Sequence, residues 1–297
     1  MNDKEIDYND IVSEKVGEFD WITSSLELES HLSLLPSNLN RGLVVGCGTS
    51  DFSISLLDNY CKEIDSLDND LGVIQHMIQR HNNGRLKWLH YDLVTCEGYD
   101  AQYLSEQSNQ YDAIFDKGTF DAILVGGETS SMIIEIIRLL TSYRGIYFLC
   151  SIFPSEVLEE LFTSPLLGLD CTFHPLSSSS ASAGTVMIAT KKISAEHVIC
   201  LASLRATEKA VMDEYYRAQA PLLTPEVEEQ IRATLRASPK YINHESSFTA
   251  EEVYVLVIEP VFSHLGYTHE LYMADLEGRM EALFTEETLL EFIREKQ

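Results

Sequence analysis

Between about residues 43 and 192, short apolar runs alternate with helix-like ones, and this alternation limits the chain to few folds. "GLVVGCG" is an apolar run that ends in glycines, and "FSISLLDNYC" after it reads as a helix. "CKEIDSLDND" is a second strand candidate. "LGVIQHMIQRHN" follows with helical spacing, which puts Val73, Ile74, Met77 and Ile78 on one face. "RLKWLHYDL", "YDAIFD" and "GIYFLCSI" are further strand candidates, with the helical "SSMIIEIIRLLTS" before the last. "CTFHPL" and "GTVMIATKK" close the series as a hairpin around the polar "SSSSASAG". Strands alternating with helices predict an α/β fold: a Rossmann-like, doubly wound, mostly parallel sheet covered on both faces, with an antiparallel edge strand.

After residue 192 the pattern becomes helical. "SAEHVICLASLRATEKAVMDEYYRAQA" predicts a long helix. In "LTPEVEEQIRATLRAS", Thr224 suits an N-cap and Pro225 the first helical position. "FTAEEVYVLVIEPVFSHLGY" opens with a capping box from Thr249 to Glu252, and Pro260 should kink or end its helix. "FTEETLLEFIREKQ" reads as one more capped helix. The expected division is a cap segment at 1–40, a ligand-binding domain at 41–192 and an all-helical extension at 193–297. The starts "FTAEE" at Phe248 and "FTEET" at Phe284 lie 36 residues apart. A degenerate helical-hairpin repeat would explain them, but chance similarity of helix starts explains them better. "DLEGRMEALFTE" lacks the alternating oxygen ligands that calcium needs, so no metal is expected.

Charge narrows the partners. Lys+Arg 21 against Asp+Glu 47 gives a net charge of −26. A field this acidic repels phosphate backbones, which argues against nucleic acid and for a basic macromolecular partner. Solubility alone is the bland alternative. The six cysteines are scattered without CxxC spacing, so reduced thiols in a cytoplasmic protein are expected. No signal, presequence or membrane span is visible, so no membrane partner is expected. Oligomeric state is not legible.

The glycine turn "LVVGCGTSDFS" points to a ligand. Gly46 allows a tight strand-to-helix turn, and Gly48 lets backbone approach a ligand. Cys47 between them is a small packing residue, with no His nearby in sequence to activate it. About twenty residues on, "SLDND" ends a strand with an acid whose carboxylate can accept both hydroxyls of a ribose. Asp68 suits this role better than Asp65 or Asp70, and Asp70 is the better helix N-cap. Asp92 ends the third strand candidate, where it could hold an adenine amino group with Leu93 against the ring. A dinucleotide site would prefer a third glycine, yet Asp51 stands there and should repel a pyrophosphate. S-adenosylmethionine has a sulfonium cation and no phosphate, so the acids favour a methyltransferase.

"DAIFDKGTFDAIL" puts an acid, a base and a glycine at the end of a buried strand. With "VVGCGTSDFSISL", "SLDNDLGVIQHM" and "HYDLVT", it resembles the seven-β-strand methyltransferases that modify lysines of elongation factor 1A and citrate synthase. The resemblance covers about residues 18–192. It departs at Thr49, where the family has Asn, and at Ile22 in "EFDWIT", where an aromatic is usual. It implies an S-adenosylmethionine-dependent lysine methyltransferase, with elongation factor 1A preferred as the basic protein substrate because no presequence is visible. The implied cofactor set is Trp21, Gly46, Cys47, Gly48, Asp68, Asn69, Asp92, Leu93, Asp116 and Lys117. Asp116 is the expected catalytic group, serving cofactor, target amine or both. Lys117 could contact the methionine carboxylate. Asp121 is a functional acid or an N-cap, and Trp21 is a cofactor lid or core. A small-molecule methyltransferase and a catalytically silent binding protein are the competing readings.

Overall fold

The computed structural model describes residues 22–81, 83–176, 184–194, 197–219, 225–238, 247–258 and 283–294. Trp21, Phe19, Thr224, Pro260, the "SSSSASA" loop and most of "DLEGRMEALFTE" lie outside them. The chain divides into two compact units, Met1–Glu208 and Lys209–Gln297.

In the first unit the elements run α1 (Ser25–Leu32), β1 (Leu39–Val45), α2 (Phe52–Asn59), β2 (Cys61–Asp68), α3 (Leu71–Arg80), β3 (Leu86–His90) and α4 (Ala101–Ser105). They continue with β4 (Ala113–Lys117), α5 (Thr119–Val125), α6 (Thr129–Leu139), β5 (Ile146–Ser151), α7 (Ser155–Phe162), β6 (Leu169–Pro175) and β7 (Thr185–Lys191). The sheet order is β3-β2-β1-β4-β5-β7-β6. The β1–β2, β2–β3, β1–β4 and β4–β5 pairs are parallel, as the alternation of strands and helices demands. β7 is antiparallel to both neighbours, so the reversed strand stands one in from the edge and β6 forms the edge.

The inner strands are apolar because both faces are covered: all of β5 is buried, as are the first four residues of β4. Phe52 packs edge-on to Phe115 at 6.3 Å, which seats α2 beneath the glycine turn. Burying a Phe side chain this way contributes about 2–3 kcal/mol. α3 begins at Asp70, whose Oδ1 accepts from the Gly72 and Val73 amides at 2.6 and 3.3 Å. It buries Val73, Ile74 and Met77. Ile78 was expected on that face, but it is 51% exposed: the buried stripe of α3 is one residue narrower than the pattern suggests.

Helix α6 is secured at both ends. The buried Glu208 carboxylate accepts from the Thr129 and Ser130 amides at 2.9 and 3.0 Å, and from both hydroxyls. Lys191 donates to the carbonyls of Ile137 and Leu140 at 2.6 and 2.8 Å. An anion at the N-terminus and a cation at the C-terminus both complement the helix dipole. Glu208 belongs to α8 (Leu201–Gln219), which begins later than the Ser194 start of its sequence pattern and crosses the division between the units.

The second unit continues with α9 (Pro225–Ala237), β8 (Phe248–Thr249), α10 (Ala250–Val253), a π-helical turn at Tyr254–Ile258, β9 (Leu283–Phe284) and α11 (Glu286–Arg294). The Thr249–Glu252 capping box is present. One expectation needs correction: the extension is not all-helical, because the two "FT" starts lie in short strands that pair with each other. Phe248 pairs with Phe284, and Thr249 with Leu283, in a short antiparallel ladder. Both phenylalanines are buried in one core with Val253, Leu290 and Phe292, and each threonine caps the helix that follows. The two starts, 36 residues apart, thus share a strand pairing and a threonine cap.

Candidate active site

The carboxyl ends of four strands converge on the glycine turn. In register, Val45 stands beside Leu67 on one side and Asp116 on the other, and Asp68 stands beside His90. This is the switch point between β1 and β4, where doubly wound sheets bind ligands.

Gly46 and Gly48 do different work. Both have positive φ, 54° and 52°. A Cβ on Gly46 would sit 2.0 Å from Thr119 Oγ1. That hydroxyl donates to the Val45 carbonyl at 2.9 Å and stitches the "DKGT" turn to the end of β1. A Cβ on Gly48 would meet nothing within 4 Å. Gly46 is thus fixed by packing, while Gly48 faces open space. Cys47 is buried in the core, and its amide donates to the Leu67 carbonyl at 2.9 Å. Burial holds its thiol pKa well above the ordinary value, which suits packing and not nucleophilic attack.

Of the three acids in "DSLDND", Asp65 accepts from Arg41, Tyr103 and Tyr111 in a buried network, and Asp70 caps α3. Asp68 turns to the glycine loop. Its Oδ2 accepts from the Gly48 amide at 2.9 Å and its Oδ1 from the Asp70 amide at 2.9 Å. Burial raises its pKa against these bonds. Asn69 beside it is exposed. Asp92 Oδ1 accepts from the Val94 and Thr95 amides at 2.7 and 3.2 Å, and Oδ2 makes no hydrogen bond among the described residues. Leu93, next in sequence, is buried. The site thus offers an open glycine backbone and two carboxylates on adjacent strand ends, which fits a ribose and an adenine amine.

Asp51 was expected to repel a pyrophosphate. Its carboxylate pairs with Arg80 at 2.8 Å and His81 at 2.9 Å, so its charge is largely compensated and that exclusion loses its force.

Asp116 departs from its expected catalytic role. It is 0% exposed. Its carboxylate accepts from the Thr119 amide at 2.9 Å, the Phe120 amide at 3.2 Å and the Tyr147 hydroxyl at 2.8 Å. α5 has Gly118, at φ 91°, as its N-cap, and Gly118 has no side chain, so Asp116 serves the free amides from below. It fixes the turn rather than facing an incoming amine. Burial pushes its pKa up to about 7, against these hydrogen bonds. The Lys117 ammonium donates to the Thr23 carbonyl at 3.3 Å and lies 5.8 Å from the Phe52 ring, so it ties the segment before α1 to this turn.

Asp121 is not the N-cap. It lies inside α5, where its carboxylate accepts from the Ser151 hydroxyl and, at 3.0 Å, from the Ile152 amide, joining α5 to the end of β5. Burial raises its pKa to about 6. Folding therefore favours the protonated acid. Its stabilising contribution is present below the unfolded pKa of about 4 and is lost as pH rises through about 6. Asp121→Asn should remove this dependence: wild type should lose about 2–3 kcal/mol relative to the variant between pH 4 and 7. Urea unfolding of both proteins across that range reads the difference, and a pH-independent gap would contradict the assignment.

Among the described residues no cluster of His, Cys, Asp or Glu could hold a metal ion, and no helix is long and apolar enough to cross a membrane.

No protein-family model matches the chain. The eEF1A lysine and N-terminal methyltransferase of Xenopus laevis is 32% identical over 150 residues, which is 48% of this chain and 20% of that protein. Its Drosophila pseudoobscura pseudoobscura homolog is 26% identical over 165 residues, 52% of this chain and 23% of that one. EEF1A lysine methyltransferase 4 of Bos taurus is 31% identical over 88 residues, 30% of this chain and 32% of that one. The chain spans about a fifth of the length of the first of these relatives. Among solved structures, the N-methyltransferase NodS from Bradyrhizobium japonicum with S-adenosyl-l-homocysteine aligns at a TM-score of 0.45 and 15% identity, over 62% of this chain and 97% of that one. Over about half its length this chain is similar to eEF1A lysine and N-terminal methyltransferases, and its seven-stranded sheet is Rossmann-like, doubly wound and mostly parallel, with β7 reversed.

Proposed function

We propose that the chain is an S-adenosylmethionine-dependent methyltransferase that acts on a lysine side chain of a basic protein, such as elongation factor 1A. The observation that carries this reading is the open Gly48 backbone, tied through its amide to Asp68, with a second carboxylate, Asp92, just beyond the end of β3. The named relatives support the lysine acceptor, and the net charge of −26 supports a basic partner. The six cysteines, all free, support a reducing, cytoplasmic setting.

In this reading Asp68 takes the ribose hydroxyls, with Asn69 beside it. Asp92 and Leu93 take the adenine, and Gly46, Cys47 and Gly48 shape the floor. When bound, S-adenosylmethionine supplies an electrophilic methyl on a sulfonium. The chain's own contribution is placement and exclusion of water. Asp116 is sealed beneath the turn and takes no proton from the acceptor. Lysine has a reference pKa of about 10.4, so the amine must lose its proton to water before it is methylated. The net negative charge of the chain favours approach of the ammonium form.

Asp68→Ala tests the cofactor half of this reading. S-adenosylhomocysteine should bind the wild type in calorimetry, and the variant should bind about tenfold more weakly or worse, the loss of at least one charge-assisted hydrogen bond. Equal affinities would show that another acid holds the ribose.

A further inference from the structure

The loop after β3 closes back on the residue that ends that strand. The Asp100 amide donates to the His90 carbonyl at 3.2 Å, and the His90 amide donates to Asp100 Oδ2 at 2.9 Å. Gly98 makes this crossing possible: its φ is +139°, and a Cβ there would sit 2.3 Å from the His90 carbonyl oxygen. Within the loop, the Asp92 amide donates to the Glu97 carbonyl at 2.8 Å and the Cys96 amide to the Asp92 carbonyl at 2.9 Å. The acid proposed for the adenine thus sits in a loop whose far end is pinned to His90.

The His90 ring makes two further bonds. Nδ1 faces the Tyr99 amide at 3.2 Å, and Nε2 faces the Asn69 carbonyl at 3.1 Å. Both partners have fixed roles, since an amide only donates and a carbonyl only accepts. Nδ1 must therefore be the acceptor and Nε2 must carry the hydrogen. The Tyr99 ring lies 5.1 Å from the imidazole, centroid to centroid. One neutral imidazole thus spans two turns from different strand ends, residues 68–70 and 98–100.

We propose that His90, as the Nε2–H tautomer, is a positioning residue of the cofactor site: it braces the 68–70 turn against the 98–100 turn and so holds Asp68, Asn69 and Asp92 in place for a ribose and an adenine. The inference rests on the cofactor reading above. It assigns His90 no contact with the ligand.

The test combines two measurements on the full chain. Nitrogen NMR of 15N-histidine-labelled protein, with His90 assigned by its loss in His90→Gln, should show a protonated Nε2 and an unprotonated Nδ1. Calorimetry with S-adenosylhomocysteine should show affinity falling about tenfold in His90→Leu, the equivalent of one or two lost hydrogen bonds. His90→Gln should fall less, because its amide can still donate to the Asn69 carbonyl. An Nδ1–H tautomer overturns the proposal. So does wild-type affinity in both variants. If His90→Leu fails to fold, the tautomer and the His90→Gln affinity still decide. A wild type that binds no S-adenosylhomocysteine sinks the cofactor reading and the role of His90 with it. Binding by the wild type with unaltered variants sinks only His90.

Discussion

Gly46→Ala should destabilise the protein by about 3 kcal/mol or more, while Gly48→Ala should cost only about 1 kcal/mol. The two positions share a left-handed backbone, so the conformational cost is common to both. Only at Gly46 does the new Cβ collide, 2.0 Å from an oxygen that the fold holds in place by its bond to Val45. Thr119 cannot withdraw without giving up that bond. At Gly48 the methyl enters open space, the space proposed for the cofactor. Gly48→Ala should therefore keep most of its stability and lose affinity for S-adenosylhomocysteine. Urea unfolding and calorimetry on the two variants separate the effects. Equal stability losses would show that the Gly46 contact relaxes freely, and undiminished affinity in Gly48→Ala would remove Gly48 from the binding surface.

Asp116→Ala carries the second large effect. It strips the acceptor from the Thr119 amide, the Phe120 amide and the Tyr147 hydroxyl in a sealed site. Each buried donor left unsatisfied costs about 1–3 kcal/mol, so a loss of about 3–5 kcal/mol is expected. Asp116→Asn keeps one oxygen and should lose less. Tyr147→Phe removes one donor without stranding the others. A double-mutant cycle between Asp116→Asn and Tyr147→Phe should then give a coupling of about 1–2 kcal/mol, read by urea unfolding. Additive losses would mean that the two side chains do not share a bond that matters to folding. A large loss of methyl transfer in Asp116→Asn with full stability would return Asp116 to a direct chemical role.

Much of the first unit was legible because local signals there agree with one another. Apolar runs of strand length, glycines at their carboxyl ends and an N-cap at Asp70 all point to the same βα units, and parallel pairing follows from the alternation. Asp68 was separable from Asp65 and Asp70 by its place at the emerging end of the strand. The direction in which Asp116 faces was not legible. Its partners are the first amides of the next helix and a tyrosine on the neighbouring strand, and no spacing within "DKGT" reveals that they lie on its inner side. Of the two roles the sequence leaves open for Asp121, the structure removes the N-cap: its partners come from the end of β5, thirty positions on, which no local spacing reveals. The pairing of Phe248 with Phe284 was not legible, because a short shared motif cannot by itself tell a ladder from two similar caps. His90 left one faint signal: a glycine eight positions on, where only a residue without Cβ can cross the strand end.

Transfer of a methyl group from S-adenosylmethionine to a protein lysine is the activity proposed for this site. The most direct measurement incubates the full chain with elongation factor 1A and methyl-labelled S-adenosylmethionine, then locates the label by peptide mass spectrometry. Label is expected on a lysine side chain of elongation factor 1A, strongly reduced with Asp68→Ala. Label confined to small amines, or a protein that binds S-adenosylhomocysteine and transfers no methyl to elongation factor 1A or any other basic protein, would contradict it.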